Sequence, residues 1–289
     1  PNGPAHGRNE GARAVTAEIL VFVDADVVLE TDAIARLEEA LLGDASVSAV
    51  FGSYNRAPRA KRLSGLYANL RHHYIHQNGD REAATFWTGI GAVRAAAFFA
   101  AGGFDERFST SMEDIELGAR LIAAGGRIRI VPEAQGAHCK DMTLLGLWKS
   151  DIFNRAIPWA GLIAAGGGAY GHLNASAHER LSALSAHFVL LLTIAAFFDA
   201  RLAIAALAAL FAYVLFNRRL IALLFEVGGV KLAVVGAGLH WLYHLYASVI
   251  FAAVALAVRL KFFRPARLPA LTPDNASWAK ASEISGESC

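Results

Sequence analysis

The stretch Ile19-Leu20-Val21-Phe22-Val23-Asp24-Ala25-Asp26 decides the reading of this chain. Five apolar residues, β-branched and aromatic among them, predict a strand buried on both faces of a parallel sheet. The run ends in two carboxylates one residue apart. Open α/β sheets bind ligands at the carboxyl ends of their strands, so both Asp side chains belong on a ligand-facing rim. Carboxylate oxygens there suit a hard divalent cation, and such a cation can hold a diphosphate. An isolated Asp-x-Asp is short and common, and equally fits a turn with one capping and one solvated acid. The residues further along give the pair its meaning.

Working outward, the 289 residues are 55% apolar and 18% charged, with a net charge of +2. Those averages conceal a step. Residues 1–180 have the mixed charge of an α/β domain, whereas Ala, Leu, Val, Ile and Phe dominate residues 181–260, a membrane composition. The small net charge and the lack of a basic patch interleaved with aromatics exclude a nucleic-acid partner. Cys139 and Cys289 are distant in sequence and form no zinc pattern, which is compatible with a reducing compartment. The polar opening at residues 1–7 is unlike the first strand of a doubly wound sheet, so a preceding segment, an apolar strand followed by an acid, is expected upstream.

Before the first strand, residues 11–17 read as a short helix. After it, Thr31 caps a helix over residues 32–42 with Ile34, Leu37, Leu41 and Leu42 on its buried stripe. A second strand covers residues 47–51. Residues 59–77 read as an amphipathic basic helix on the surface, or lying near anionic lipid or acceptor. A glycine-punctuated strand and turn occupy residues 86–94. A helix over residues 95–101 ends at Gly102-Gly103. Another helix starts near Glu113 and stops at Gly125-Gly126. A short strand at residues 127–131 is closed by Pro132, and His138 follows in a loop. Residues 143–157 form a helix ended by Pro158-Trp159, and Gly166 to Gly168 form a joint.

As one helix, residues 181–216 would be about 54 Å long, too long for a hydrocarbon core of ~30 Å. Two helices, about 181–198 and 202–217, joined at Asp199-Ala200-Arg201, fit better. Asn217-Arg218-Arg219 would then return to the starting side. Residues 232–258 form a third apolar segment. Its spanning or re-entrant course decides whether the tail basics (Arg259, Lys261, Arg264, Arg267) share a side with Arg218 and Arg219. His240 and His244 are spaced as metal ligands, with no third ligand in evidence.

The ordered series Arg8-Asn9-x-Gly11, Asp24-Ala25-Asp26, Gly89-x-Gly91-x-x-Arg94, Gly102-Gly103-Phe104-Asp105-Glu106, Glu113-Asp114-x-Glu116-Leu117 and His138 resembles glycosyltransferase family 2. The resemblance covers roughly residues 7–160, and the apolar tail is similar to that of membrane-bound members. It implies a GT-A fold, meaning a Rossmann-like α/β sheet flanked by helices, here followed by a C-terminal helical membrane region. It also implies an inverting transferase that takes one sugar from a nucleotide-sugar donor. Asp24 and Asp26 would hold Mn²⁺ or Mg²⁺ and the donor, with His138 completing the metal set. Asp114 would be the catalytic base. Read alone, residues 110–114 are as well explained by capping boxes at a helix start. Trp87, Gly89, Gly91 and Glu113 would line the sugar or acceptor pocket, with the glycines admitting close approach of a ligand. Arg8 and Asn9 match the donor-side loop, and Arg155 a diphosphate contact.

Processive synthases of the family carry Gln-x-x-Arg-Trp. Here Ile152 stands in place of the Gln and the Trp is displaced to Trp159, which favours single transfer. The expectation is a multi-pass enzyme of the plasma or inner membrane with its catalytic domain (residues 1–165) in the cytoplasm. Residues 166–180 would be a linker and 261–289 a polar tail. Its acceptor would be a lipid carrier or growing glycan, and membrane lipid its surroundings. A processive synthase subunit and a silent scaffold partnering an active transferase are the alternatives.

Overall fold

The computed structural model describes residues 3–108, 111–166 and 176–263. The expected joint at 166–168, much of the linker, Arg264, Arg267 and Cys289 lie largely or wholly outside the described residues. Helix α1 (Pro4–Arg13) precedes strand β1 (Ile19–Val23), so Arg8 and Asn9 sit within a helix that begins earlier than the sequence suggests. Pro4 at its first position explains the shift, since the fixed φ of proline pre-sets a first helical turn. Then follow β2 (Val27–Leu29), α2 (Ala33–Leu42), β3 (Val47–Tyr54), α3 (Leu63–Asn78), β4 (Glu82–Ala83), β5 (Ile90–Arg94), α4 (Ala95–Ala100), α5 (Glu113–Ala123) and β6 (Arg127–His138).

The sheet is mixed, in the order β1-β5-β3-β6-β2, with β4 on β6. Only β3 and β6 run parallel; β5 lies antiparallel to both β1 and β3. The reading of β1 as a strand buried on both faces is therefore corrected. Among the described residues β1 is an edge strand, with Leu20 and Phe22 facing the core and Val21 and Val23 half-open on the other face. The fully buried strand is β3, all eight residues of it, because helices cover both of its faces. On α2, Leu37 and Leu41 are buried as expected, but Ile34 and Leu42 are exposed. Strand β6 does not stop at Pro132. It continues to His138 through a register shift opposite Phe51 and Ser53, where proline costs no ladder hydrogen bond.

Helix α3 is the largest correction. It is not a surface helix. Tyr67, Leu70, Arg71, His73 and His76 are buried. One face packs on β3, with His73 and His76 placing Nδ1 against the Tyr54 and Gly52 carbonyls at 2.6 and 3.1 Å. The other packs on Leu220, Leu223, Leu224 and Leu232. Arg71, His73 and His76 are spent on internal polar contacts, whereas Arg59, Lys61 and Arg62 before the helix are exposed, a difference that composition alone does not show.

Beyond the sheet, Thr143 caps α6 (Leu144–Lys149). A π-helical turn (Ser150–Ala156) then leads into α7 (Ile157–Gly166). Pro158 thus lies inside the helical run instead of ending it. Proline supplies no N–H and crowds the preceding turn, and the wider π turn just before it gives that turn room.

Helices α8 (Ala177–Ala196) and α9 (Leu202–Phe216) form the expected antiparallel hairpin, closed at its base by Ser182 Oγ donating to Asn217 Oδ1 at 3.2 Å. Helix α10 (Arg218–Arg259) is broken at Gly228-Gly229. Gly229 has φ of 65°, where a side chain would be strained. Among the described residues, α8 and α10 are long and apolar enough to cross a membrane; α9, at 15 residues, is shorter. The middle of α10 meets the hairpin at its base: Tyr213 Oη bonds His244 Nδ1 at 2.8 Å, and His244 Nε2 lies 3.2 Å from Glu179. His240 receives Tyr67 Oη at 3.1 Å.

Candidate active site

The residue after β1, helix α3, the segment before β5, the first turn of α5 and the π turn line a cleft of about 320 Å³. Asp24 follows β1 directly, its N–H donating to Gly89 O at 3.2 Å. Arg8, from α1, donates to Asp24 Oδ1 at 2.7 Å and also to Glu113. A single guanidinium therefore ties the aspartate rim to the start of α5. Asn9, expected beside it on the donor, faces the other way. It is buried, donates to Phe104 O at 2.9 Å and accepts from Phe104 N–H at 2.9 Å. Asn9 holds the loop after α4 and has no free edge for a ligand.

Helix α5 opens on Met112, whose φ of 77° lies in the left-handed region. Among the described residues no side chain caps this terminus, so the alternative reading as capping boxes is not met around Ser111; Thr110 lies outside the described residues. Strain of this kind in a non-glycine residue persists where the surroundings over-determine it. Met112 is locked by burial against Leu162, Ile115 and Trp159. The consequence is that Glu113 and Asp114 both line the cleft.

Asp114 accepts from Thr88 N–H and Oγ at 3.3 and 3.4 Å and from Ile115 N–H at 2.8 Å. Burial, reinforced by the neighbouring Glu113 charge, pushes its carboxyl up to about 7. A carboxylate so tuned is suited to taking a proton near neutrality. Glu113 is buried, and its Oε2 has no hydrogen-bond partner among the described residues. An orphaned carboxylate oxygen beside a cleft calls for a donor from a ligand.

Asp26 and His138 meet beside the cleft without lining it, Nε2 to Oδ2 at 3.3 Å. His138 ends β6 instead of lying in a loop, and its register partner is Val27. Asn69 fixes its tautomer. The Asn69 amide N–H₂ donates to Gly65 O at 2.9 Å and Lys140 O at 3.3 Å, which turns Oδ1 toward His138 Nδ1. Nδ1 then carries the proton. Burial holds the ring's pKa below the ordinary value, which favours a neutral imidazole. A neutral imidazole directs the Nε2 lone pair at the Asp26 carboxylate. Two acceptors facing each other suit a shared cation, and the donor set fits Mn²⁺ or Mg²⁺. Among the described residues, no three His, Cys, Asp or Glu side chains already converge as a metal cluster.

Trp87 lines the cleft as expected, but Gly89 and Gly91 do not. A Cβ on Gly89 would sit 2.1 Å from the Trp87 indole, and one on Gly91 would sit 2.4 Å from the Trp87 carbonyl. These glycines admit Trp87, not a ligand. The indole packs edge-on against Tyr54, His72 and His76 at 4.8–4.9 Å, and Tyr54 stacks on His138 at 4.3 Å. Tyr54, Asn69, His72 and His76 were not read as site residues. The i,i+4 spacing of His72 and His76 is their one sequence signal. Burial lowers both rings' pKa, His76 to about 3, so both stay neutral.

Arg155 reaches the cleft from the π turn, with a 3.5 Å contact to Asp151. Trp159, one helical turn on, lines the same cleft, although the sequence reading placed it out of register. Asp151 is buried, paired bidentately with Arg71 at 2.8 and 3.2 Å, and receives Tyr246 Oη from α10 at 2.7 Å.

Over 151 residues the chain is 34% identical to the Pre-mycofactocin glycosyltransferase of Mycobacterium tuberculosis, in strains CDC 1551 / Oshkosh and ATCC 25618 / H37Rv alike. That match covers 47% of this chain and 30% of the relative, so the chain spans about a third of the length of these relatives. Among solved structures, it is similar to a mannosyltransferase from Pyrobaculum calidifontis in complex with GDP-Man and Mn²⁺ (TM-score 0.40, 19% identity, 90% of this chain and 68% of that one). It is also similar to GalNAc-T7 with UDP, GalNAc and Mn²⁺ (TM-score 0.38, 15% identity, 58% of this chain and 38% of that one). The family described as "Glycosyltransferase like family 2" matches residues 1–152, more than half of the 289. With its mixed sheet, aspartate rim and acidic helix start, the chain belongs to that family.

Proposed function

We propose that the protein is a membrane-bound inverting transferase that moves one sugar from a nucleotide-sugar donor to a membrane-proximal acceptor, with Asp114 as its base. The observation that carries this reading is a desolvated carboxylate on α5 sharing one cleft with Asp24, two residues before the Asp26 that pairs with His138. Asp114 would take the proton of the acceptor hydroxyl as that oxygen attacks the anomeric carbon. Asp26 and His138, with Asp24 beside them, would hold a divalent metal, which when bound supplies charge neutralisation to the donor diphosphate. Arg155 would face the same diphosphate, and Trp87 the sugar. Arg8 keeps Asp24 and Glu113 at fixed separation before the donor arrives.

Large apolar side chains exposed along α8 and α9, among them Phe188, Leu191, Phe197, Phe198, Leu207 and Phe211, support membrane anchoring. The position of α10's middle at the hairpin base favours an interfacial course for it over a third full span. On this reading residues 1–165 form the catalytic domain, in the cytoplasm where sugar nucleotides are made.

The test uses the full chain in membranes with a panel of UDP- and GDP-sugars and Mn²⁺. Nucleotide release and label in the lipid fraction are followed beside Asp114→Asn. Sugar-specific transfer lost in the variant is the expected result. Equal turnover in the variant would remove Asp114 as base.

A further inference from the structure

Arg71 on α3 and Arg155 on the π turn both line the catalytic cleft. Asp151 does not. It lines a second cavity, of about 730 Å³, between the π turn, α7, α8 and α10, and both arginines reach that cavity too. The three side chains form one unit. Arg71 is buried and pairs with both Asp151 oxygens, at 2.8 and 3.2 Å. Arg155 touches the same acid at 3.5 Å and is 46% exposed. Burial works against the charge of Asp151, but the two cations hold its carboxyl below the usual range, so it stays ionised. Among the described residues no other acid pairs with either arginine. One carboxylate therefore serves two guanidiniums, and a surplus positive charge is left where the unit meets the cleft. The π turn carries both Asp151 and Arg155, and such turns inside helices recur at functional sites.

Helix α10 completes the unit from one of its turns. The Tyr243 ring lies 4.0 Å from the Arg71 guanidinium carbon, and Tyr246 Oη donates to Asp151 Oδ2 at 2.7 Å. A hydroxyl donated to a carboxylate takes up a lone pair and draws off part of the charge. Tyr246 therefore competes with Arg155 for Asp151. The length of the Arg155 contact fits that competition, since a guanidinium free to settle on a carboxylate comes to about 2.7–2.9 Å. Arg155 is steered by the acid without being consumed by it.

From this arrangement we infer that Tyr246 is a positioning residue for the donor diphosphate: by engaging Asp151, it keeps Arg155 available to the cleft. The inference rests on the transfer reading above and adds the part of α10 that serves it. Without the hydroxyl, Asp151 recovers its full charge and draws Arg155 into a close ion pair on the side of the second cavity, away from the diphosphate. Arg71 stays in place, because both Asp151 oxygens and the Tyr243 ring hold it. One hydroxyl thus ties donor affinity to the apolar helices.

The experiment places the full chain in phosphatidylcholine nanodiscs with Mn²⁺ and measures binding of UDP, GDP, ADP, CDP and dTDP by calorimetric titration. For the nucleoside diphosphate that binds, Tyr246→Phe should raise Kd about fivefold, the scale of one lost hydrogen bond. Tyr213→Phe is the structural control. It removes a hydrogen bond to His244 of the same helix, at 2.8 Å, and should leave Kd within about twofold. In an Arg155→Ala background, Tyr246→Phe should add less than about twofold, because no guanidinium is left to direct. Asp151→Asn should act in the opposite sense, lowering Kd while it lowers the unfolding midpoint, since Arg155 is released as the buried Arg71 loses its partner. Asp151→Asn is the harsher change, and if it does not fold the Tyr246 and Arg155 cycle decides alone. Unchanged Kd in Tyr246→Phe would overturn the inference. So would an equal fivefold loss with Arg155 already removed, or losses in Tyr246→Phe and Asp151→Asn that both follow the unfolding midpoint. Those results leave the transfer reading standing, whereas wild-type protein that binds none of the five nucleotides counts against that reading itself.

Discussion

At the scale of single residues, Asp114 and His138 show how surroundings assign a role. Asp114 is held protonated by burial and by Glu113 up to about pH 7. A protonated carboxyl cannot accept the acceptor's proton, so kcat/KM should rise with pH along a one-proton limb centred near 7. Asp114→Asn should remove that limb and lower the rate by about 10²–10⁴-fold. The sign for stability is opposite. The folded carboxyl keeps its proton above the unfolded value, so raising pH from about 4 to 7 should cost stability, and Asp114→Asn should flatten that slope in denaturant titrations. His138 depends on Asn69 for its tautomer. Chelation should abolish transfer and added Mn²⁺ should restore it. Asn69→Ala should raise the Mn²⁺ concentration for half-maximal activity by roughly 10–100-fold, the usual cost of losing a ligand's orienting partner. An unchanged Mn²⁺ requirement would take His138 out of the metal set.

At the scale of elements, helix α5 carries the proposed base on its first turn and an internal clamp behind it. Glu116 is fully buried and bonds Arg120 at 2.6 and 2.7 Å, while Arg120 also donates to Ala101 O at the end of α4. Breaking a buried pair leaves one charge uncompensated. Arg120→Met should therefore destabilise by about 3–5 kcal/mol in chemical unfolding, and the double change with Glu116→Leu should recover much of it. The turn before β5 makes a different demand. Gly89→Ala would drive a methyl into the Trp87 indole. The expected cost is about 1–3 kcal/mol, with a larger loss in donor KM than in unfolding midpoint as Trp87 is displaced from the cleft.

At the scale of the whole molecule, catalytic cleft and apolar helices are joined through a few buried polar contacts. Arg71 from α3 lies 4.0 Å over the Tyr243 ring and pairs with Asp151, and Tyr246 of the same α10 closes the set. The hairpin of α8 and α9 leaves its outer face apolar. Leu191→Arg with Phe211→Arg should shift the protein from floating vesicles to the soluble fraction in a flotation assay, because charge on that face is costly in hydrocarbon. Retention on vesicles would assign membrane binding to another surface.

The amino-acid sequence by itself determined the α/β class, the family series from Arg8 to His138, the pairing of carboxylates with a histidine, and the apolar hairpin with its turn at Asp199. These are legible because they depend on residue type, order and period, which survive without coordinates. Only the tertiary structure decided that β1 is an edge strand, that α3 is buried, and that Asn9, Gly89 and Gly91 serve packing, while His72 and Trp159 reach the cleft and Tyr54 and Asn69 hold His138. Each of those depends on which partner fills the space beside a side chain. His72 and His76 have the composition of a solvated helix face, and Gly89 has that of a ligand loop. Contacts between residues far apart in the chain, such as Asn69 with His138 or Tyr246 with Asp151, leave no local pattern to read.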